Sequence, residues 1–232
     1  DFLGEATKWW DKWLKGIDTD TLDCPMVQAW LEDSMKPETV HPVSDGRWVA
    51  LDKWPSSDVE MKTMSMTYGH LQDEENTKEE VVDLCTLPNH GLLANEWMGA
   101  GVPGESPADM RVDDGMAMVF DSDILKEEVE ILGYPEFEVE LTSDKPNAFL
   151  YAELCDIHPD GAATRVSYGL INLTHLEGHE KVVYLEPGKK YKAKVQLDVC
   201  GHNFPAGHRI RLAIANSFWP MIWPSPELAT LK

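Results

Sequence analysis

The sequence has no apolar run near the roughly 18 residues a membrane-spanning helix requires. It is also short of positive charge, with 20 Lys and Arg against 41 Asp and Glu and a net charge of −21. Such a surface repels phosphate backbones and anionic lipids, so nucleic acid and membrane are not expected partners. Cysteine is scarce: Cys24, Cys85, Cys155 and Cys200 lie far apart with no C-x-x-C pair. That spacing argues against a disulfide framework and for reduced thiols in a cytoplasmic setting. Cys155 and Cys200 fall within strand-like segments, where a free thiol behaves as a small core group. The first residues, DFLGEATKWWDKW, carry no basic stretch followed by an apolar one, so no secretory signal is expected there. The chain starts without Met, which fits processing or a fragment of something longer.

Reaction motifs are missing as well. The chain contains no G-x-S-x-G elbow, no Gly-rich phosphate loop and no H-E-x-x-H. His175 and His179 have a spacing that would suit a metal on a helix, but Gly178 points to a loop and no third ligand is in view. His208, at the start of a strand, is expected to fix a corner by hydrogen bonding. Asp113-Asp114 and Asp156/Asp160 would hold calcium only if further oxygen ligands converged on them. No cofactor or metal is expected from these residues.

What is present is β pattern. In YKAKVQLDV, Tyr191, Ala193, Val195, Leu197 and Val199 alternate with polar residues, and Ile210, Leu212 and Ile214 resume the alternation after the Pro205-Ala206-Gly207 turn. Period-two apolar residues mean a strand with one face buried and one in water. Two such strands beside a Gly/Pro corner belong to an antiparallel sandwich. A chain of 232 residues accommodates one large all-β domain, alone or with an attached piece.

In chain order, Phe2, Leu3, Ala6, Trp9, Trp10, Trp13 and Leu14 fall at helical spacing, with Gly16 placed to cap the C-terminus. So apolar a face needs cover, either from the domain that follows or, as we favour, from a domain whose earlier part precedes Asp1. Strand-like MVQAWLED, RWVALDKW and MKTMSMTYG follow, with turns at Asp45-Gly46 and Pro55 to Asp58. Trp48 and Trp54 are expected to pack in the core or between the sheets, with sugar stacking as the lesser alternative. Residues 72–80 read as a solvated acidic loop and 89–107 as a long irregular excursion. Met116 to Phe120 reads as a strand. Residues 125–132 are assigned to strand against their helix-forming composition, and Phe137, Val139 and Leu141 alternate after them. AFLYAELCDI and TRVSYGLINLTH flank His158-Pro159-Asp160-Gly161, which reads as a hairpin turn. A slip of the apolar phase in the second strand suggests a bulge near Gly169. Glu186-Pro187-Gly188 makes another turn. The tail around Phe218, Trp219, Pro220, Trp223 and Pro224 is expected to run over the surface of the sandwich.

Seven stretches carry a family resemblance: FLGEATKWWDKWLKG, GRWVALDKWP, VDDGMAMVFDSD, ILGYPEFEVELTSD, ELCDIHPDGAATRVSYGLINLTH, YLEPGKKYKAKVQLD and FPAGHRIRLAIANSFWP. In this order they resemble the C-terminal part of the cocaine esterase / X-prolyl dipeptidyl-peptidase family of serine acyl hydrolases. The resemblance implies an all-β, jelly-roll β-sandwich (galactose-binding-like) over residues 21–232. It implies that residues 1–20 hold the terminal helix of an upstream α/β-hydrolase domain plus a linker. In such a family the Ser, Asp and His of the triad precede that helix, so none is carried onto a residue of this chain. The family pattern runs beyond Ala229-Thr230-Leu231-Lys232, which implies that a last edge strand lies outside the sequence. The implied role is non-catalytic: to close one side of the substrate entrance and contribute to assembly, homo-oligomers included, with loops 89–107 and 218–226 facing the substrate. Trp219 and Trp223 are the candidate residues for an acyl or prolyl pocket.

Two other functions compete. A free-standing carbohydrate-binding module shares the jelly roll, although it has no use for the tryptophan helix. A chain that hydrolyses esters by itself would need a Ser/His pair that sequence does not reveal.

Overall fold

The computed structural model describes residues 2–73, 75, 78–94 and 102–232. The chain runs α1 (Phe2–Lys15), β1 (Val27–Asp33), β2 (Gly46–Leu51), β3 (Ser65–Thr67), β4 (His70–Gln72) and α2 (Arg111–Asp114). Then come β5 (Met118–Asp121), β6 (Val129–Gly133), β7 (Glu136–Leu141), β8 (Phe149–Ile157) and β9 (Ala163–Asn172). It ends with β10 (Tyr191–Gln196), β11 (Cys200–Phe204) and β12 (Arg209–Ala215). One sheet has six strands in the order β3-β4-β5-β12-β8-β9. Facing it are the four-stranded sheet β2-β1-β11-β6 and the ribbon β10-β7. The β-sandwich expected from the alternation is therefore the fold.

The second layer is more continuous than its strand breaks suggest. β10 pairs with β7 up to Gln196↔Glu136, and β11 pairs with β6 from Cys200↔Gly133. Between those pairs lie 197–199 on one side and 134–135 on the other, an extra residue that makes a bulge. The bulge reverses the alternation. Leu197 is 2% exposed but Val199 is 60% exposed, so the buried face expected to run through Val199 ends one residue pair earlier. Beyond the bulge, His202 and Phe204 point inward. β11 itself was not anticipated, because the bulge hides its period.

The main core lies between the layers. Phe137, Leu141, Ala193, Val195 and Leu197 meet Leu71, Phe120, Leu150, Ala152 and Ile214. Burying a large side chain of this kind contributes roughly 1.5–3 kcal/mol. On the water side of the ribbon, Lys192 pairs with Glu138 (3.1 Å) and Lys194 with Glu136 (2.8 Å). These exposed pairs are each worth about 0–1 kcal/mol and set cross-strand register more than stability.

Three further expectations need correction. The β8–β9 hairpin turns at Gly161 (φ +84°) as anticipated, but its bulge falls opposite Leu154/Cys155, at Val166, not at Gly169. Gly169 has another reason to be glycine: a Cβ there would lie 2.4 Å from the Gln196 carbonyl oxygen, where β9 meets the second layer. Trp48 and Trp54 are not core residues, being 70% and 41% exposed. On edge strand β2 both alternating faces carry apolar residues, and Leu51 takes the buried one, leaving Trp48 to pack edge-on against Trp30 at 5.5 Å. The tail is only partly superficial, since Phe218 (0% exposed) and Ile222 (3%) enter a second core cluster with Tyr151 and Met110. Of the excursion 89–107, residues 95–101 lie outside the described residues, as do 74, 76 and 77 of the acidic loop.

Candidate functional site

α1 is the most unusual surface. Its helix ends where expected, with Gly16 at φ +70° and its N–H on the Lys12 carbonyl (3.2 Å). Lys8, Lys12 and Thr19 tie the helix to the following linker through Asp20, Asp18 and the Lys8 carbonyl. None of its described residues is buried. Trp9, Trp10 and Trp13 are 47%, 54% and 55% exposed, and the rings of Trp9 and Trp13 lie 5.8 Å apart. Indole rings in that number are stable in water only as part of an interface or at a considerable hydration cost.

The two candidate pocket residues are neighbours. Phe218 stacks on Tyr151 with ring centroids 3.8 Å apart, and the Trp219 N–H donates to the His90 carbonyl at 2.7 Å. This anchors the segment from which Trp219 (half-buried) and Trp223 (exposed) project, 5.4 Å apart. The cavity beside Trp223, bounded by Thr86, Asn216, Ser217 and Ala229, has a volume of about 60 Å³. A second cleft between Trp30, Glu32, Val166 and His202 has about 260 Å³. Both are smaller than the roughly 300–1,000 Å³ of ordinary ligand pockets.

Among the described residues, two places bring serine, histidine and carboxylate together, and neither is wired for nucleophilic catalysis. At the first, Ser34 Oγ donates to Asp156 Oδ2 (2.5 Å), which also receives His202 Nε2 (3.2 Å), while His208 Nδ1 donates to Asp156 Oδ1 (2.7 Å). The hydroxyl contacts the acid directly, with no imidazole between to take its proton. Burial pushes the Asp156 carboxyl up, and the bonds from His202, Ser34 and His208 outweigh it, holding it below the usual range. A carboxylate so held is a poor base. His208 thus fixes a corner, as the sequence suggested. At the second, His90 Nδ1 contacts the backbone oxygen of Ser217 (2.7 Å), while Ser217 Oγ donates to the Leu87 carbonyl (2.7 Å). Asp113 accepts from the Gly91 N–H (3.1 Å). Burial drives the His90 pKa down, which favours its neutral form as a brace for the tail.

A third buried cluster was not visible in sequence. Glu153 accepts from Tyr151 Oη (2.8 Å), and Arg211 reaches Asp121 (2.6 Å) and Asp114 (2.8 Å). Burial raises both Glu153 and Asp114, each additionally raised by a neighbouring carboxylate. Their partners come from α2, β5, β8 and β12, so only the folded topology assembles them. His175 and His179 do meet, with Nδ1 atoms 3.2 Å apart, on the exposed surface. Among the described residues, two groupings have ligand atoms close enough for a metal: Asp156/His158/His208 and Asp114/Glu153/Cys155.

Fold and site together define an accessory β-sandwich, in which the buried polar groups brace loops instead of activating a nucleophile. Within that class the chain belongs to the X-Pro dipeptidyl-peptidase C-terminal non-catalytic domain family, which matches residues 21–232. It is 25% identical over 116 residues to cocaine esterase of Rhodococcus sp. (strain MB1 Bresler), covering 49% of this chain and 20% of that protein. The fold matches a crystal structure of an aminopeptidase from a marine sediment Thaumarchaeota archaeon with a TM-score of 0.74 at 18% identity, over 97% of this chain and 41% of that one. It also matches a CocE/NonD family hydrolase from Staphylococcus aureus, with a TM-score of 0.68 at 13% identity, over 99% of this chain and 43% of that one. The chain spans between 20% and 33% of the length of the curated relatives it matches.

Proposed function

We propose that this chain is the C-terminal wall of a two-part serine hydrolase acting on X-Pro peptides or acyl esters, with an upstream α/β-hydrolase domain supplying the triad. The observation that carries this reading is α1: a tryptophan-rich helix none of whose described residues is buried. The family match and the greater length of the relatives support it. The helix acts as the terminal element of the upstream domain, and residues 21–232 as the sandwich beside the substrate entrance. Segment 218–226, with Trp219 and Trp223, lines part of that entrance. Cavities of only about 60 and 260 Å³ fit a wall completed from elsewhere better than a pocket built from this chain. Four unpaired cysteines fit a reducing, cytoplasmic compartment, and the sandwich contributes to assembly of the enzyme, homo-oligomers included.

The test uses paired substitutions. Trp9→Ser with Trp13→Ser in a protein carrying the upstream segment should lower Tm and X-Pro anilide or ester turnover. In the 232-residue chain alone, where both rings already face water, Tm should stay within a degree or two. Equal effects in the two contexts would refute the docking role.

A further inference from the structure

The hub at Asp156 has a property that bracing does not require. His158, 6% exposed, places Nε2 2.9 Å from Thr164 Oγ1 and 3.1 Å from the Met35 carbonyl. Thr164 Oγ1 itself donates to that carbonyl at 2.7 Å, so Nε2 of His158 must carry the hydrogen. Nδ1 of His158 is then a bare lone pair. An imidazole whose far N–H is fixed by a backbone carbonyl is the arrangement that orients metal-ligating histidines. The ring of His158 lies with its centroid 4.6 Å from that of His208, which contacts Asp156. Asp156 accepts three hydrogen bonds, one fewer than the roughly four its two oxygens can take.

We propose that Asp156, His158 and His208 form a binding site for one divalent transition-metal ion of zinc type. Ligand atoms of all three lie within 4.8 Å of one another, on the ends of β8 and β12 and the turn after β8. Tetrahedral zinc with bonds of about 2.0–2.1 Å separates its ligands by roughly 3.3 Å, so His158 closes on the other two by about 1.5 Å or less, while the 2.7 Å between His208 Nδ1 and Asp156 Oδ1 opens by about 0.6 Å. The ion takes the place of the hydrogen between His208 Nδ1 and Asp156 Oδ1, now 2.7 Å apart, and the ring coordinates as the neutral tautomer with its one proton moved to Nε2. His158 Nδ1 supplies the third ligand and water the fourth, reached past His208, whose side chain is 11% exposed. His202 and Ser34 remain on the other carboxylate oxygen as orienting donors. Two nitrogens and one oxygen on a compact tetrahedron select zinc, copper or cobalt over calcium and magnesium, which favour oxygen ligands. Tying β8, β12 and the 34–36 segment together, the ion would act as a structural clasp.

The 232-residue chain, stripped with chelator and dialysed against micromolar Zn²⁺, should retain about one equivalent by elemental analysis, as a discrete site does. With Co²⁺ it should show the visible absorption of a four-coordinate ion. His158→Ala leaves all three donors to Asp156 in place, so it should fold, and it should weaken binding at least 10–100-fold. His208→Ala should do the same. His175→Ala with His179→Ala, which removes the exposed histidine pair, should leave binding unchanged. Folded wild-type protein that retains no zinc would overturn the proposal. So would binding that survives His158→Ala or disappears with the His175/His179 pair.

Discussion

Glu153 shows how much one buried side chain depends on its protonation state. Its Oε1 and Asp114 Oδ1 are both buried without a donor among the described residues, yet the two carboxyls are close enough to share a hydrogen bond. Two carboxyl oxygens can bond only if one carries a proton, and burial raises both groups, so the pair keeps that proton to higher pH than in the unfolded chain. The folded state then binds more protons than the unfolded state above the ordinary Glu value of 4.5. By linkage this contribution is full below that value and is lost as pH rises toward the raised pKa of the pair. Glu153→Gln supplies a permanent donor and still accepts from Tyr151. It should therefore gain stability relative to wild type between pH 5 and 8, measured by urea unfolding at both. A difference between the two proteins that is the same at both pH values would contradict the shared proton. Asp156→Ala, which leaves Ser34, His202 and His208 without their common acceptor, should cost about 2–4 kcal/mol in the same assay.

Among elements, the contact of β9 with the second layer is the sharpest. Gly169→Ala places a methyl where 2.4 Å separates it from the Gln196 oxygen, and backbone on both sides has little room to move. We expect a loss of roughly 2 kcal/mol or more, read as a lower denaturation midpoint with unchanged slope. Leu150→Ala, in the main core, should cost about 2–5 kcal/mol. The same region shows what sequence could and could not reveal. The runs of β8 and β10 were legible because β8 is a nearly continuous apolar run, β10 alternates apolar with polar residues, and turn residues bound them. The two bulges were not, because an inserted residue changes phase without leaving a distinctive residue type. Gly169 suggests a bulge in β9 because glycine marks both bulges and close approaches, and only the register separates them. Trp48 misled because β2 is apolar on both faces.

At the scale of the whole molecule, the family order of seven short stretches conveyed the sandwich and its accessory role. The polar hubs were invisible because their members are scattered: Asp156 meets Ser34 from 122 positions away and His202 from 46. The absence of elbow and phosphate-loop motifs points away from self-contained catalysis; in the fold the Ser34 hydroxyl donates to the Asp156 carboxylate and that of Ser217 to the Leu87 carbonyl. The central claim is that bond cleavage belongs to a partner domain and this chain supplies structure. Its most direct test is the purified 232-residue chain incubated with p-nitrophenyl acetate and an alanyl-prolyl anilide. Release of p-nitrophenol or of the aniline should match the protein-free rate. Turnover above it that a serine-directed reagent abolishes would contradict the account.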